Sequence, residues 1–201
     1  MSTKLTTGDL RGVWFLRVTA GEFLGFLVPA LAGALSAPAP VLVLAGVAEG
    51  AVLGAAQWSV LRRTFPVLRA GAWIGVSALA AGFAWAVALL AVDNGERLNS
   101  LPLPAVLAVA ALSGTAVLLS LGTGQWLVLR RHVPGSSLWI WANALAWAAG
   151  LLVFTAFTTP LWQPGQTTAL IALIGASGGL LMAATMAAIT GLFLYRLAQR
   201  S

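Results

Sequence analysis

Apolar residues run along this chain in six long stretches, and short segments between them hold most of the charged residues. An α-helix rises about 1.5 Å per residue, so roughly 20 apolar residues cross a hydrocarbon layer of about 30 Å. Each stretch reaches that length. The pattern predicts an all-α integral membrane protein with six transmembrane helices (spans 1 to 6), at about 13–36, 40–63, 70–92, 104–130, 137–158 and 168–197.

A short motif occurs twice within this pattern. Residues 57–63 read QWSVLRR and residues 125–131 read QWLVLRR, an offset of 68 residues. The same offset, without a gap, pairs Gly46 with Gly114, Gly54 with Gly122, Pro66 with Pro134, Trp73 with Trp141 and Gly82 with Gly150. The duplicated unit is therefore a helix, a basic turn and a second helix, at about 40–92 and 104–158.

The motif QWxVLRR, followed by a Trp-rich helix, resembles a family of bacterial membrane proteins that repeat this pattern. The resemblance covers spans 2 to 5 well and spans 6 and 1 poorly. It implies a multi-span membrane protein and brings no activity with it. The spans themselves predict a single transmembrane domain, 1–201.

The end of span 6 is a weaker copy of the same motif. Residues 190–196 read TGLFLYR, which matches TGQWLVLR at 123–130 with the arginine one place early. If span 6 pairs with span 1, the two ends of the chain form a third helical hairpin. We therefore expect a pseudo-threefold arrangement of hairpins in which span 1 packs beside span 6 as well as beside span 2.

Composition supports a membrane protein and excludes several kinds of chemistry. Apolar residues make up 60% of the chain and charged residues 8%, too few for a soluble monomer. The chain has no cysteine and one histidine. This excludes disulfides, thiolate and bis-histidine metal sites and cysteine nucleophiles, so we expect no metal, no cofactor and no enzymatic activity. An intramembrane enzyme is the third alternative for function.

The cations predict the orientation of the chain. The net charge is +6, and most basic residues lie at the chain ends and in two turns: Lys4, Arg11, Arg62, Arg63, Arg69, Arg130, Arg131, Arg196 and Arg200. By the positive-inside bias, both termini and both turns face the cytoplasm of a bacterial inner membrane. We expect these arginines to contact anionic lipid headgroups and not nucleic acid.

Span 1 could also be interpreted as a secretory signal peptide, because residues 34–37 read ALSA after an apolar run. Glu22 lies within the long region before that site, and Pro38 directly follows it. Both features are unfavourable for cleavage, so we interpret span 1 as a transmembrane helix.

Two acidic residues lie at similar depths inside the predicted helices. Glu22 is about nine residues into span 1, roughly 14 Å deep, and Glu49 is about twelve residues from the cytoplasmic end of span 2, roughly 18 Å deep. The repeat aligns Glu49 with Val117, so only one of the two copies has a carboxyl at this position. An acidic residue at mid-membrane costs about 2.5–3.5 kcal/mol, so each should face a partner or a polar cavity.

These carboxyls have two interpretations. In the first, they are ionisable ligands in a polar pocket between spans 1 and 2, and Arg17 is a possible counter-ion. In the second, they are structural partners of Arg17 or of polar residues on other spans: Ser77, Ser120 and Asn143.

Further candidate ligand residues are amides and deep tryptophans: Gln57, Gln125, Asn143, Trp85 and Trp147. The amides can donate hydrogen bonds between helices on the cytoplasmic side. Six other tryptophans lie near the cytoplasmic ends of the spans, where an interfacial aromatic belt explains them: Trp14, Trp58, Trp73, Trp126, Trp139 and Trp141.

The sequence thus favours a non-enzymatic protein that binds or transports a small solute, ion, proton or lipid. The alternative is an accessory or scaffold subunit, as a homo-oligomer or within a larger membrane complex. Such a subunit would dock through its basic cytoplasmic face and through ridges of small residues, formed by Gly21, Gly25, Gly46, Gly50 and Gly54.

Overall fold

The fold is all-helical in a computed structural model that describes residues 7–199. Lys4 and Arg200, which contribute to the predicted orientation, lie outside the described residues. The helices are α1 (Thr7–Ala34), α2 (Ala39–Thr64), α3 (Ala70–Asp93), α4 (Gly95–Asn99), α5 (Leu103–Leu129), α6 (Leu138–Thr158) and α7 (Thr168–Ala198).

Six of these helices are long and apolar enough to span a membrane, as the sequence predicts. Their ends follow from local chemistry. Pro38 and Pro102 lie directly before α2 and α5, where the missing proline N–H removes no helical hydrogen bond. At the start of α7, the Thr167 hydroxyl accepts a hydrogen bond from the backbone N–H of Leu170. The structure describes α1 from Thr7, ahead of the predicted start of span 1 at about residue 13, and the single helical turn α4 was not predicted.

The six long helices form a closed ring. Each packs mainly against two others, in the order α1, α2, α3, α5, α6, α7 and back to α1. Because successive long helices alternate in direction, the first turn of α1, the last turn of α7 and the turns at 65–69 and 130–137 lie together, and we call this side the basic end. The opposite side, with the connections 35–38, 94–102 and 159–167, is the distal end.

The contact between α1 and α7, expected from the weak third copy of the motif, is present. The indole N–H of Trp14 on α1 donates to the hydroxyl of Thr190 on α7 at 3.1 Å. The pseudo-threefold relation itself stays a prediction.

Glycines on α1 and α2 bring neighbouring backbones together. A side chain on Gly50 would collide with the carbonyl oxygen of Ser77 on α3, and one on Gly25 would lie 3.0 Å from the carbonyl oxygen of Glu49. Gly46 likewise packs on the ring of Trp85. These ridges pack against α2 and α3 within the chain, and docking to a larger complex stays a prediction.

Candidate functional site

A hydrogen-bonded layer of polar side chains crosses the bundle toward the basic end. The amide nitrogen of Gln125 donates to Oε1 of Gln57 at 2.7 Å and to the hydroxyl of Ser77 at 2.8 Å. Gln57 Oε1 also accepts from the indole N–H of Trp73, and Gln125 Oε1 accepts from that of Trp139. We call these five residues the polar layer. All of them are buried, and they link α2, α3, α5 and α6.

The pair Trp14 and Thr190 repeats this geometry between α1 and α7, with a hydroxyl in place of the amide. Thr190 is therefore structurally equivalent to Gln125, whereas the sequence repeat aligns it with Thr123. A similar shift affects the tryptophans. The offset of 68 paired Trp73 with Trp141, but Trp139 makes the equivalent hydrogen bond and Trp141 is 65% exposed.

The predicted aromatic belt is wrong for three of its six tryptophans. Trp14, Trp73 and Trp139 are fully buried, and their indole N–H groups donate to other side chains. Buried indole N–H groups need a partner, which explains why they lie at the level of the polar layer. Trp58 and Trp126 lie under the guanidinium groups of Arg62 and Arg130, at 5.1 and 5.0 Å, so they do belong to a basic surface.

A central cavity of about 340 Å³ lies inside the ring. Side chains from all six long helices line it: Glu22, Phe26, Glu49, Gly50, Leu53, Ala81, Ala84, Trp85, Ala88, Val117, Ser120, Leu121, Trp147, Leu151, Phe154 and Met182. Four of the predicted ligand residues are among them, namely Glu22, Glu49, Trp85 and Trp147. The lining contains two carboxyls and no basic side chain.

The two carboxyls differ in their partners. Glu49 Oε2 accepts from the indole N–H of Trp85 at 2.7 Å. Glu22 is 1% exposed, and neither of its oxygens has a hydrogen-bond partner in residues 7–199. The indole N–H of Trp147 is likewise buried and without a partner there. The cavity thus contains polar atoms that the described part of the protein leaves unsatisfied, and a bound molecule could satisfy them.

The structural interpretation of the carboxyls is not supported by their contacts. Arg17, the expected counter-ion, does not line the cavity, and its Nη1 donates to the hydroxyl of Ser59 at 3.0 Å. Ser120 donates to the carbonyl oxygen of Val117, and Asn143 to that of Trp139. Arg17, Asn143, Gln57 and Gln125 therefore lie outside the lining that the other four candidates share.

The cavity has two unlike walls. Glu22 on α1 and Glu49 on α2 stand side by side, because these helices are neighbours in the ring. Opposite them are α5 and α6, which contribute Val117, Leu121, Trp147, Leu151 and Phe154. We call the first the acidic wall and the second the apolar wall.

A second cavity of about 470 Å³ adjoins the central one. The two share Ala88, Val117 and Leu151, and the second extends along α3, α5 and α6 to Leu98 of α4 at the distal end. On the other side, the polar layer lies between the central cavity and the basic end. The second cavity therefore lies on the distal side of the central cavity, and the polar layer lies on its other side.

Sequence reasoning missed several lining residues, among them Phe26, Phe154 and Met182. Their spacing from the polar layer could have identified some of them. Residues eight positions before Gln57, Gln125 and Thr190 all line the cavity: Glu49, Val117 and Met182. The same is true eight positions after Trp14, Trp73 and Trp139: Glu22, Ala81 and Trp147.

Comparisons with protein families, with curated proteins and with solved structures found no match to this chain. Interpretation of the site therefore depends on its geometry and its side-chain chemistry.

Proposed function

We propose that this protein is a non-enzymatic component of a bacterial inner membrane that binds a small solute in the central cavity and passes it across the bilayer. The observation that carries the proposal is Glu22, a fully buried carboxyl without a hydrogen-bond partner in residues 7–199. A buried polar group without a partner is unfavourable by about 1–3 kcal/mol, and more when it is charged. A bound solute would remove that cost.

The size of the cavity supports a small-molecule ligand. Ligand sites commonly have volumes of about 300–1,000 Å³, with mostly apolar walls and a few polar groups that orient the ligand. The central cavity, at about 340 Å³, is at the small end of this range and has that composition. The adjoining cavity, which reaches Leu98 at the distal end, supports passage of a solute in that direction.

A binding role fits the lining better than catalysis. Ser120 contributes the one hydroxyl that the described residues place in the lining, and that hydroxyl donates to the Val117 carbonyl oxygen of its own helix at 2.8 Å. A nucleophilic serine needs a base within hydrogen-bonding distance that accepts its proton. The carboxyls on the acidic wall are therefore better suited to holding a solute than to activating one.

The orientation is part of the proposal. The basic end would face the cytoplasm, because it contains the arginine-rich turns, whereas Arg97 at the distal end is accompanied by Asp93 and Glu96. The chain has no cysteine, so single cysteines report cleanly on exposure. Asn99→Cys and Gln163→Cys should react with a membrane-impermeant thiol reagent in intact cells, and Ser137→Cys only after permeabilisation. The reverse pattern would contradict the orientation.

Filling the cavity tests the binding role directly. Ala84→Phe places a ring in the cavity, and Ala188→Phe adds the same ring on the exposed side of α7. Wild-type protein in lipid nanodiscs would be equilibrated with small cationic, neutral and anionic aromatic probes, and bound probe measured by mass spectrometry. The wild type and Ala188→Phe should retain a probe that Ala84→Phe does not. Equal retention by all three proteins, or none by any, would contradict the proposal.

A further inference from the structure

We infer that the solute is a small organic cation, whose charged group lies at the acidic wall and whose apolar body lies against the apolar wall. This inference depends on the proposed function, because it names the class of solute that the central cavity takes.

The charge follows from the lining. Glu22 and Glu49 line one side of the cavity, and no lysine, arginine or histidine among residues 7–199 lines any part of it. An anionic solute would approach two carboxyls without a compensating cation. A neutral apolar solute would leave the Glu22 carboxyl without a partner. A cation satisfies that carboxyl and neutralises the acidic wall.

The lining does not fit a bare divalent cation. Ca²⁺ takes about six to eight oxygen ligands and Mg²⁺ demands near-octahedral oxygen coordination. The lining offers the two carboxyls and one hydroxyl, and residues 7–199 contain no group of three or more acidic, histidine or cysteine side chains placed to hold a metal ion. Such an ion would lose its hydration shell against hydrocarbon, whereas an organic cation brings its own apolar surface.

Aromatic rings complete the recognition. Trp147 and Phe154 on α6 line the cavity opposite Glu49, and Phe26 packs edge-on against Phe154 with ring centroids 6.0 Å apart. Aromatic faces attract cations and pack well against a flat apolar body. The small volume limits the solute to about one ring and a compact charged group, because 340 Å³ is at the low end for ligand sites.

Three probes of the same shape separate charge from hydrophobicity. Benzyltrimethylammonium is cationic, neopentylbenzene replaces its nitrogen by carbon and is neutral, and benzylsulfonate is anionic. Binding to protein in phosphatidylcholine nanodiscs would be measured by equilibrium dialysis, with empty nanodiscs subtracted to remove partition into lipid. We expect the cation to bind at least about tenfold more tightly than either analogue. Its charge pairs with the carboxyls of the acidic wall and its methyl groups contact the aromatic rings, and a desolvated cation–π contact alone contributes about 2 kcal/mol.

Variants then locate the charge. Glu22→Gln keeps the shape of the side chain and should weaken binding of benzyltrimethylammonium by at least about tenfold. Glu96→Gln is the matched control, because Glu96 is an exposed carboxyl on α4 that does not line the cavity. It should bind the cation as the wild type does. Thermal unfolding of each variant shows whether the fold is retained.

The outcomes separate this inference from the proposed function. If neopentylbenzene or benzylsulfonate binds as tightly as the cation and Ala84→Phe removes that binding, the cavity binds solutes but the cationic class is wrong. If Glu22→Gln folds and binds the cation unchanged, the assignment to the acidic wall is overturned. If no probe binds to the wild type above empty nanodiscs, both the inference and the proposed function fail.

Discussion

The polar layer and the central cavity adjoin inside one ring of helices. The residues of the layer are repeated from one segment to the next, whereas the residues at equivalent positions in the cavity differ. In the layer, Gln57 and Gln125 are the same residue, and Trp73 and Trp139 both donate to them. In the cavity, the positions equivalent to Glu49 are occupied by Val117 and Met182. The repeated residues of the layer are hydrogen-bond partners of one another, whereas Glu22 in the cavity has no hydrogen-bond partner within residues 7–199.

This difference assigns separate roles to the two regions. A buried amide that uses both its nitrogen and its oxygen stabilises the contacts between helices, as Gln125 does. A buried carboxyl without a partner does not stabilise the fold. We therefore expect substitutions in the layer to lower stability, and substitutions at the acidic wall to change binding without lowering stability.

The largest effect on stability is expected at Gln125. Gln125→Leu removes three interhelical hydrogen bonds and leaves the buried indole N–H of Trp139 without its acceptor. The free energy of unfolding should fall by about 2–4 kcal/mol. Denaturant titration in mixed micelles measures this change.

Gln163→Leu is the matched control for that substitution. Gln163 is exposed in the connection before α7, and its amide donates to the carbonyl oxygen of Pro160 nearby. Its loss should change stability by less than about 0.5 kcal/mol. Equal destabilisation by both variants would remove the special role of the layer.

A smaller effect of opposite sign is expected at Glu49. Glu49→Val copies the residue found at the equivalent position on α5 and removes a carboxyl whose presence at mid-membrane costs about 2.5–3.5 kcal/mol. It also loses the hydrogen bond from Trp85. The free energy of unfolding should therefore rise by about 1–2 kcal/mol, while benzyltrimethylammonium binding weakens. A clear loss of stability in the same titration would show that Glu49 is structural.

The smallest effect is expected at Ser77, which belongs to the layer and does not line the cavity. Ser77→Ala removes one acceptor of Gln125 and leaves the hydrogen bond to Gln57 in place. Stability should fall by about 1 kcal/mol, and cation binding should stay as in the wild type. Weakened binding in dialysis with unchanged stability would mean that the two regions are coupled.

Much of this fold could be predicted from the sequence because membrane spans depend on length and hydropathy alone. The six spans and the contact between α1 and α7 follow from the apolar runs and the repeated motif. The helical turn α4 has no such signal, because its five residues are too few to show a helical periodicity of apolar positions.

The site was predicted less completely, because depth along a helix does not give rotation about its axis. Glu22 and Glu49 could be placed at a similar level, but whether Arg17 faced them depended on which side of α1 it occupied. Tryptophans at helix ends are ambiguous for the same reason. Trp141 is exposed and Trp139, two residues earlier, is buried in the polar layer.

The most direct test of the account is to measure unfolding and binding together in the variant Glu22→Gln/Glu49→Gln, in the same nanodiscs. The double substitution keeps the shape of both side chains and removes both carboxyls. If the acidic wall serves binding and not folding, the variant has a thermal unfolding temperature at or above that of the wild type and no longer binds benzyltrimethylammonium. An unfolding temperature lowered as far as that of Gln125→Leu, with cation binding retained, would contradict it.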